Sequence, residues 1–273
     1  MRDILLGCVL FSLRFAALGA VTTSSLAAPV ASPSSSPTLA TRIARMDELL
    51  RQRADYSKLR EAVTGLRSLH QEFPGDREIA WKFAMATYSW GSKLDEKTQR
   101  DERLKLFDEG REAGERSLER NADCAPCHFW TGINHALLGN EKGIFSSVTG
   151  LKRVREHAQR VLELDEGYAF GGAHRLLGQI DRVLPGILGG NNSRARKHFE
   201  EAIRIAPDEP MNYFELSQLL ANELDSPKEA LNVARKGLSI GALPLDRVEG
   251  NETLVKLQNW IKKLEARLEQ DKT

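Results

Sequence analysis

From Leu39 onward the apolar residues recur at helical spacing, and one spacing returns. Ala62, Leu66, Leu69 and Pro74 are separated by four, three and five residues, and Ala195, Phe199, Ala202 and Pro207 repeat those intervals. The first three positions of each set fall on one face of an α-helix. Their small members let a neighbouring helix come close, and the proline, lacking an amide hydrogen, ends the element. Leu177-Gly178 precedes the second set, and Met46, Leu49, Leu50 and Arg53 precede the first, as the facing helices of two hairpins. Three further hairpins open at Trp81 (with Ala84 and Tyr88), Trp130 (with Ile133 and Leu137) and Tyr213 (with Leu216 and Leu220). Their second helices are expected over Leu104–Leu118, Val154–Leu162 and Pro227–Leu238. A last stripe, Leu254, Leu257, Ile261, Leu264 and Leu268, predicts a terminal helix over Asn251–Glu269.

A helix pair of about 34 residues with this small, large, small pattern closing in proline is the tetratricopeptide unit. The fold class that follows is all-α. It is a tetratricopeptide-like helical-hairpin solenoid of about five hairpins with a C-terminal capping helix, spanning residues 39–273. Sustained two-residue alternation is absent from the sequence, so most apolar positions, including Trp81, Trp90 and Trp260, are expected to pack between stacked hairpins.

The N-terminal part has another character. Ile4 to Val21 is mostly apolar and is split by Arg14, and Ser25-Leu26-Ala27 before Ala28 has the small residues of a signal-peptidase site. Residues 1–27 therefore read as a signal peptide and 28–38 as a Pro/Ser-rich linker, giving a periplasmic or secreted chain that begins near Ala28. The alternative is a lipobox at Leu5-Leu6-Gly7-Cys8 with lipid anchoring at Cys8. With 41% hydrophobic and 28% charged residues and a formal charge of +1, the chain is too polar for a membrane bundle and carries no basic surplus for nucleic acid.

Two hairpins carry glycine-rich insertions, Leu138–Gly150 and Leu184–Asn191. Long loops inside a compact repeat call for a function, and a loop folded back over the inner face would line a pocket. The residues expected to bind a ligand or partner are Trp130, Asn134, His135, His174, Arg175, Pro185, Gly186, Gly189 and Gly190. Arg175 has no carboxylate at helical spacing on its own helix, so its partner is either a carboxylate of the ligand or Glu163 or Asp165 of the preceding helix. Asn134 and His135 are expected to face one cavity or the solvent.

The stretches His128–Asn134, Gly171-Gly172-Ala173-His174-Arg175-Leu176-Leu177-Gly178, Leu184-Pro185-Gly186 through Gly189-Gly190, and the Ala195–Pro207 helix together resemble the T component of tripartite ATP-independent periplasmic (TRAP) transporters, the TatT family. That resemblance implies a periplasmic helical-repeat protein without catalytic activity. Its implied partners are the TRAP solute-binding subunit or another protein, a small apolar ligand, or a second copy of the chain.

Cys124-Ala125-Pro126-Cys127-His128 stands apart, because two thiols and a histidine in this spacing match covalent c-type haem attachment. Against haem, the pentapeptide lies at a hairpin turn within a packed repeat, and a disulfide between Cys124 and Cys127 suits an oxidising compartment. Disulfide, without cofactor, is the expectation; haem c at Cys124, Cys127 and His128, in an electron-transfer or sensor protein, is the alternative. No serine-nucleophile elbow, phosphate loop, zinc-protease pair or dinucleotide fingerprint is present in the sequence, and no metal site is expected. The third reading is a plain tetratricopeptide assembly scaffold.

The leader makes a direct test. Cleavage after Ala27 would remove Arg2, Asp3 and Arg14, and the intact mass of protein from its native host should match a chain starting at Ala28. A mass matching the chain from Met1 would end the secretory reading, and a diacylated Cys8 would favour the lipobox.

Overall fold

The computed structural model describes residues 37–142 and 148–271. The expected signal peptide, Cys8 and nearly all of the linker lie outside the described residues, as does Gly143 within the first insertion.

Among the described residues the chain is eleven α-helices without a strand. They pair as α1 (Leu39–Arg51) with α2 (Tyr56–Glu72), α3 (Arg77–Gly91) with α4 (Arg100–Leu118), and α5 (Ala125–Glu141) with α6 (Val148–Asp165). There follow α7 (Tyr168–Val183) with α8 (Asn192–Ile205), α9 (Pro210–Asn222) with α10 (Pro227–Leu238), and α11 (Val248–Gln270) alone. This is the tetratricopeptide-like solenoid of five hairpins and one terminal helix. The fourth helix starts four residues before the expected Leu104, and the terminal helix three before Asn251.

Local chemistry sets the boundaries. Asp55, Asp76 and Asn191 cap α2, α3 and α8 by accepting the amides of Ser57, Ile79 and Arg194 at 2.8, 2.9 and 2.8 Å, each satisfying an orphan donor of a first turn. Pro210 and Pro227 open α9 and α10 where no amide hydrogen is needed.

The odd-numbered helices form the inner layer, α3 touching α5, α5 touching α7 and α7 touching α9, with the even-numbered helices outside. The core is a series of patches between successive hairpins. Met46, Leu59, Leu66, Ile79 and Phe83 belong to one at the N-terminal end; Phe199, Phe214, Leu219, Leu257 and Leu264 belong to another at the C-terminal end. Trp260 donates its indole N–H to the Ser217 hydroxyl at 2.8 Å, which fastens α11 to α9.

Glycines bring α4 and α5 into close contact. A Cβ on Gly114 would stand 1.8 Å from Thr131 Oγ1, and one on Gly110 2.2 Å from Thr87 Oγ1. Glycine at these two positions lets polar side chains of α3 and α5 lie against the α4 backbone. Asn134 uses that space: it is fully buried, donates to the carbonyls of Ala84 and Trp130, both at 2.8 Å, and lies 3.4 Å from the Thr87 hydroxyl. The residue is therefore a staple between α3 and α5 and not a lining residue of a cavity or a solvent-facing position.

Two ion pairs join the ends of the solenoid. Arg53, in the turn between α1 and α2, donates from Nε to Glu249 Oε1 at 2.9 Å, and a second guanidinium nitrogen meets the other carboxylate oxygen. Lys93, beyond the end of α3, pairs with Glu252. Burial works against the Glu249 carboxylate, but the hydrogen bonds and charge of Arg53 and the charge of Lys93 hold it below the ordinary carboxylate range. The first turns of α11 thus lie against the first two hairpins as well as the last. The cavity left beneath them, among Arg53, Tyr88, Met211 and Val248, is about 30 Å³, room for about one water.

Gly114→Ala should destabilise the chain by about 1–3 kcal/mol through overpacking, despite the roughly 1 kcal/mol that alanine gains in helix propensity. Adding Thr131→Ala should restore most of the loss. A urea midpoint unchanged in the single variant would show that α4 and α5 part without cost.

Candidate functional site

The residues singled out in the sequence divide among four places. On the inner face Trp130 donates its indole N–H to the Tyr168 hydroxyl at 2.8 Å, and its ring lies 5.3 Å from that of Tyr88 and 4.9 Å from that of Phe129. Burial raises the Tyr168 pKa above the ordinary phenol value, so this hydroxyl stays protonated at neutral pH. The aromatic row fills the inner face between hairpins two, three and four.

Next to it the backbone turns left-handed. Ala169, Phe170 and Gly171 have φ of 52°, 59° and 75°. The conformation is free for glycine but costs an ordinary residue about 1–2 kcal/mol. Gly171 is further required because a Cβ there would meet the Ala202 backbone at 3.0 Å. Arg175 holds this turn: its guanidinium donates to the carbonyls of Phe170 at 2.6 Å and Ala169 at 2.7 Å, and to Asn212 Oδ1 at 2.7 Å. Asn212, fully buried, in turn donates to Ala202 O at 2.7 Å and Ala206 O at 3.0 Å. The expectation that Arg175 pairs with Glu163 or Asp165 is thus corrected. The guanidinium fork is matched to two convergent carbonyls, while Glu163 takes Arg160 instead. Burial lowers the Arg175 pKa, because the guanidinium is held by dipoles and not by a directly bonded carboxylate. Outside the turn, Arg247 lies 4.0 Å over the Phe170 ring and pairs with Asp208 and Glu209 at 2.7 and 2.6 Å.

The third place is the loop between α7 and α8. Pro185 leads into a single 3-10 turn, Gly186–Leu188, and Gly189 follows at φ 86°. Gly190 has no room for a side chain, since a Cβ would stand 1.8 Å from Leu184 O. Asp181, fully buried, anchors the loop: it accepts from Arg194 Nη2 at 2.7 Å and from Arg155, and Arg194 also donates to Gly189 O at 2.6 Å. The loop does not fold back to line a pocket. Its tip points away, with Ile187 94% and Leu188 39% exposed.

The fourth place is the α5–α6 hairpin. Cys124 caps α5 and is disulfide-bonded to Cys127, whose sulfur is fully buried. The His128 ring has its Nε2 3.1 Å from Ala122 O and its Nδ1 3.0 Å from His157 Nδ1. With both thiols bonded to each other and both imidazole nitrogens engaged, this pentapeptide does not fit haem. His174 is buried and similarly placed, its Nδ1 2.9 Å from His198 Nδ1 and its Nε2 3.2 Å from Glu166. His135 faces away from Asn134 into a cavity of about 260 Å³ that includes Asp108, Arg111, Leu138 and Lys142.

Trp130 and Arg175 therefore belong to the inner face, and the Pro185–Gly190 loop to the outside of the fourth hairpin. Sequence reasoning offered His157 and His198 only as candidate axial ligands of a haem and missed their pairing with His128 and His174; it also missed Asn212 and Arg247. A signal existed for the first two: each directly precedes the middle member of a buried triad, Val154/Ala158/Val161 and Ala195/Phe199/Ala202. Asn212 and Arg247 carry no comparable pattern.

A family profile described as "Regulator of microtubule dynamics protein 1-3" matches residues 42–179, from α1 into α7. Among solved structures, TTC0263, a thermophilic TPR protein of Thermus thermophilus, aligns with a TM-score of 0.52 and 19% identity, over 77% of this chain and 99% of that one. A crystal structure of MamA aligns with a TM-score of 0.45 and 15% identity, over 69% of this chain and 92% of the other. No curated protein sequence matches. The likeness to TTC0263 concerns the fold, and the fold is tetratricopeptide-like.

If Arg175 holds the left-handed turn, Arg175→Ala should cost about 2–3 kcal/mol by leaving two carbonyls and Asn212 short of a donor, and Arg175→Lys should recover only part. Ala169→Gly should instead stabilise by roughly 0.5–1 kcal/mol by releasing backbone strain. Urea unfolding at constant slope measures both, and a destabilised Ala169→Gly variant would remove the strain argument.

Proposed function

The chain belongs to the regulator of microtubule dynamics protein 1-3 family, and from that premise we propose that it is a non-catalytic scaffold outside the cytoplasm that docks a partner protein through its fourth hairpin. The observation that carries this reading is the α7–α8 loop. An apolar tip, Ile187 and Leu188, is held out in water on a turn braced by Asp181, Arg155 and Arg194. Exposing an isoleucine almost completely on a preordered support gives up burial for the chain itself and keeps the ordering cost of binding small. The inner face offers less, because the aromatic row and the first turns of α11 occupy it.

In the finer form of this reading the partner is the solute-binding subunit of a TRAP transporter. The residues that carry the resemblance to its T component are those that build the distinctive parts of the fourth hairpin. Gly171, Gly172 and Arg175 belong to the left-handed turn and its clamp, and Pro185, Gly186, Gly189 and Gly190 to the docking loop. Export is supported by the apolar leader and by the vicinity of Cys124 and Cys127, whose disulfide suits an oxidising compartment. An exported chain and microtubules occupy different compartments, so no partner is carried over from the family's name, and the scaffold reading rests on the fold. A small apolar ligand and self-association remain compatible with the same loop.

Calorimetric titration with a TRAP solute-binding subunit tests the proposal. Binding that weakens at least about tenfold, roughly 1.4 kcal/mol, in an Ile187→Asp variant with an unchanged unfolding midpoint is the expected result. Absence of binding would remove the TRAP reading, and binding indifferent to Ile187→Asp would move the docking surface elsewhere.

A further inference from the structure

In hairpins three and four one pair of imidazoles bridges the two helices, with the same atoms in contact. His128 Nδ1 lies 3.0 Å from His157 Nδ1, and His174 Nδ1 lies 2.9 Å from His198 Nδ1. The ring centroids are 5.3 and 5.2 Å apart. On the outer-layer helices the two histidines occupy one register, immediately before Ala158 and Phe199.

The far side of each inner-layer ring decides where the hydrogens are. His128 Nε2 faces the carbonyl of Ala122, and His174 Nε2 faces the carboxylate of Glu166. Both oxygens only accept, so both Nε2 atoms carry hydrogen. The neutral ring then presents a bare Nδ1, and His157 and His198 must donate to it. One added proton can be taken up: the inner ring becomes a donor at Nδ1 and its partner shifts its own hydrogen to Nε2. A second added proton puts two N–H groups and two positive charges face to face.

We propose that these two imidazole pairs form a proton-operated switch in the middle of the solenoid: each pair joins its helices with at most one added proton, and a second proton parts them.

Most of the surrounding carboxylates are already paired with arginines. Around the first pair stand His135 on α5 and Arg153, Arg160 and Glu163 on α6. Around the second stand Glu166, Arg155 of α6, Asp181 of α7, and Arg194, Glu201 and Arg204 of α8. Glu163 is taken by Arg160, Asp181 by Arg155 and Arg194, and Glu201 by Arg204, with Glu166 shared between His174 and Arg204. Burial first, then neighbouring positive charge, holds His157 down at about 4 and also lowers His198; burial lowers His128 too. These groups are lower in the folded chain than the ordinary 6.5. The closed form is therefore favoured above that value and loses its advantage as pH falls from there toward about 4.

Hydrogen exchange of the full chain at about pH 7.5 and about pH 5, corrected for intrinsic rates, tests the switch. Protection in α5–α8 should fall more than about tenfold, the equivalent of one pKa unit, while α1, α2 and α10 change little. His157→Asn with His198→Asn supplies an amide donor that takes no proton, and should abolish most of that fall. Equal protection at both pH values, or the same loss in the double variant, would overturn the proposal. Should the double variant fail to fold, nitrogen NMR of the four rings in the unmodified chain decides. Coupled titration within each pair is expected, and four independent transitions near the ordinary histidine value would refute it.

Discussion

A helical hairpin has one apolar stripe on each flank and can bury both only between two neighbours. Every other feature of this chain follows from that constraint. The middle hairpins are satisfied by stacking, as Phe199 and Val154 show by being wholly buried. The two ends are not, and the chain answers them with α11, whose Leu257, Ile261 and Leu264 cover the fifth hairpin. The first turns of the same helix reach the N-terminal hairpins through Glu249 and Glu252. Those two ion pairs contribute through geometry more than through energy, since each is part-exposed and screened.

The fourth hairpin departs from the regular repeat at both of its ends. In the first turn of α7 the chain accepts two non-glycine residues in left-handed conformation, and Arg175, Asn212 and Arg247 are spent on holding them. After α7 it places an isoleucine in water over an arginine-braced support. Strain and exposed apolar surface together mark positions kept for something other than stability.

How much of this could be read from the residues depended on how local the signal was. Hairpin order and helix count follow from intervals such as Ala62, Leu66, Leu69 and Pro74, because packing between neighbours in sequence writes itself into a period. The position of the Leu184–Asn191 loop was equally legible through its glycines. Its direction was not, because Arg155 of α6 is brought beside Asp181 only by stacking. Asn134 reads as a cavity-lining or solvent-facing residue until the glycines of α4 are known to admit it to the packed interior. Ala169 and Phe170 have no preference for the left-handed region, so nothing in their identity announces the turn. Arg175 was recognised as needing a partner, but charge arithmetic looks for carboxylates and the fold supplied carbonyls.

The pairing of Arg53 with Glu249 spans 196 residues in a chain whose other contacts are mostly between adjacent hairpins. Stacked repeats assemble quickly because their contacts are local, whereas a contact of this length waits until the intervening hairpins are in place. Closure should therefore come last in folding, after the stack exists to bring the two ends together. It also converts a line into a ring. In an open solenoid the terminal repeats fray first and independently, but here opening either end also gives up the Arg53–Glu249 and Lys93–Glu252 contacts, which links the fraying of the two termini.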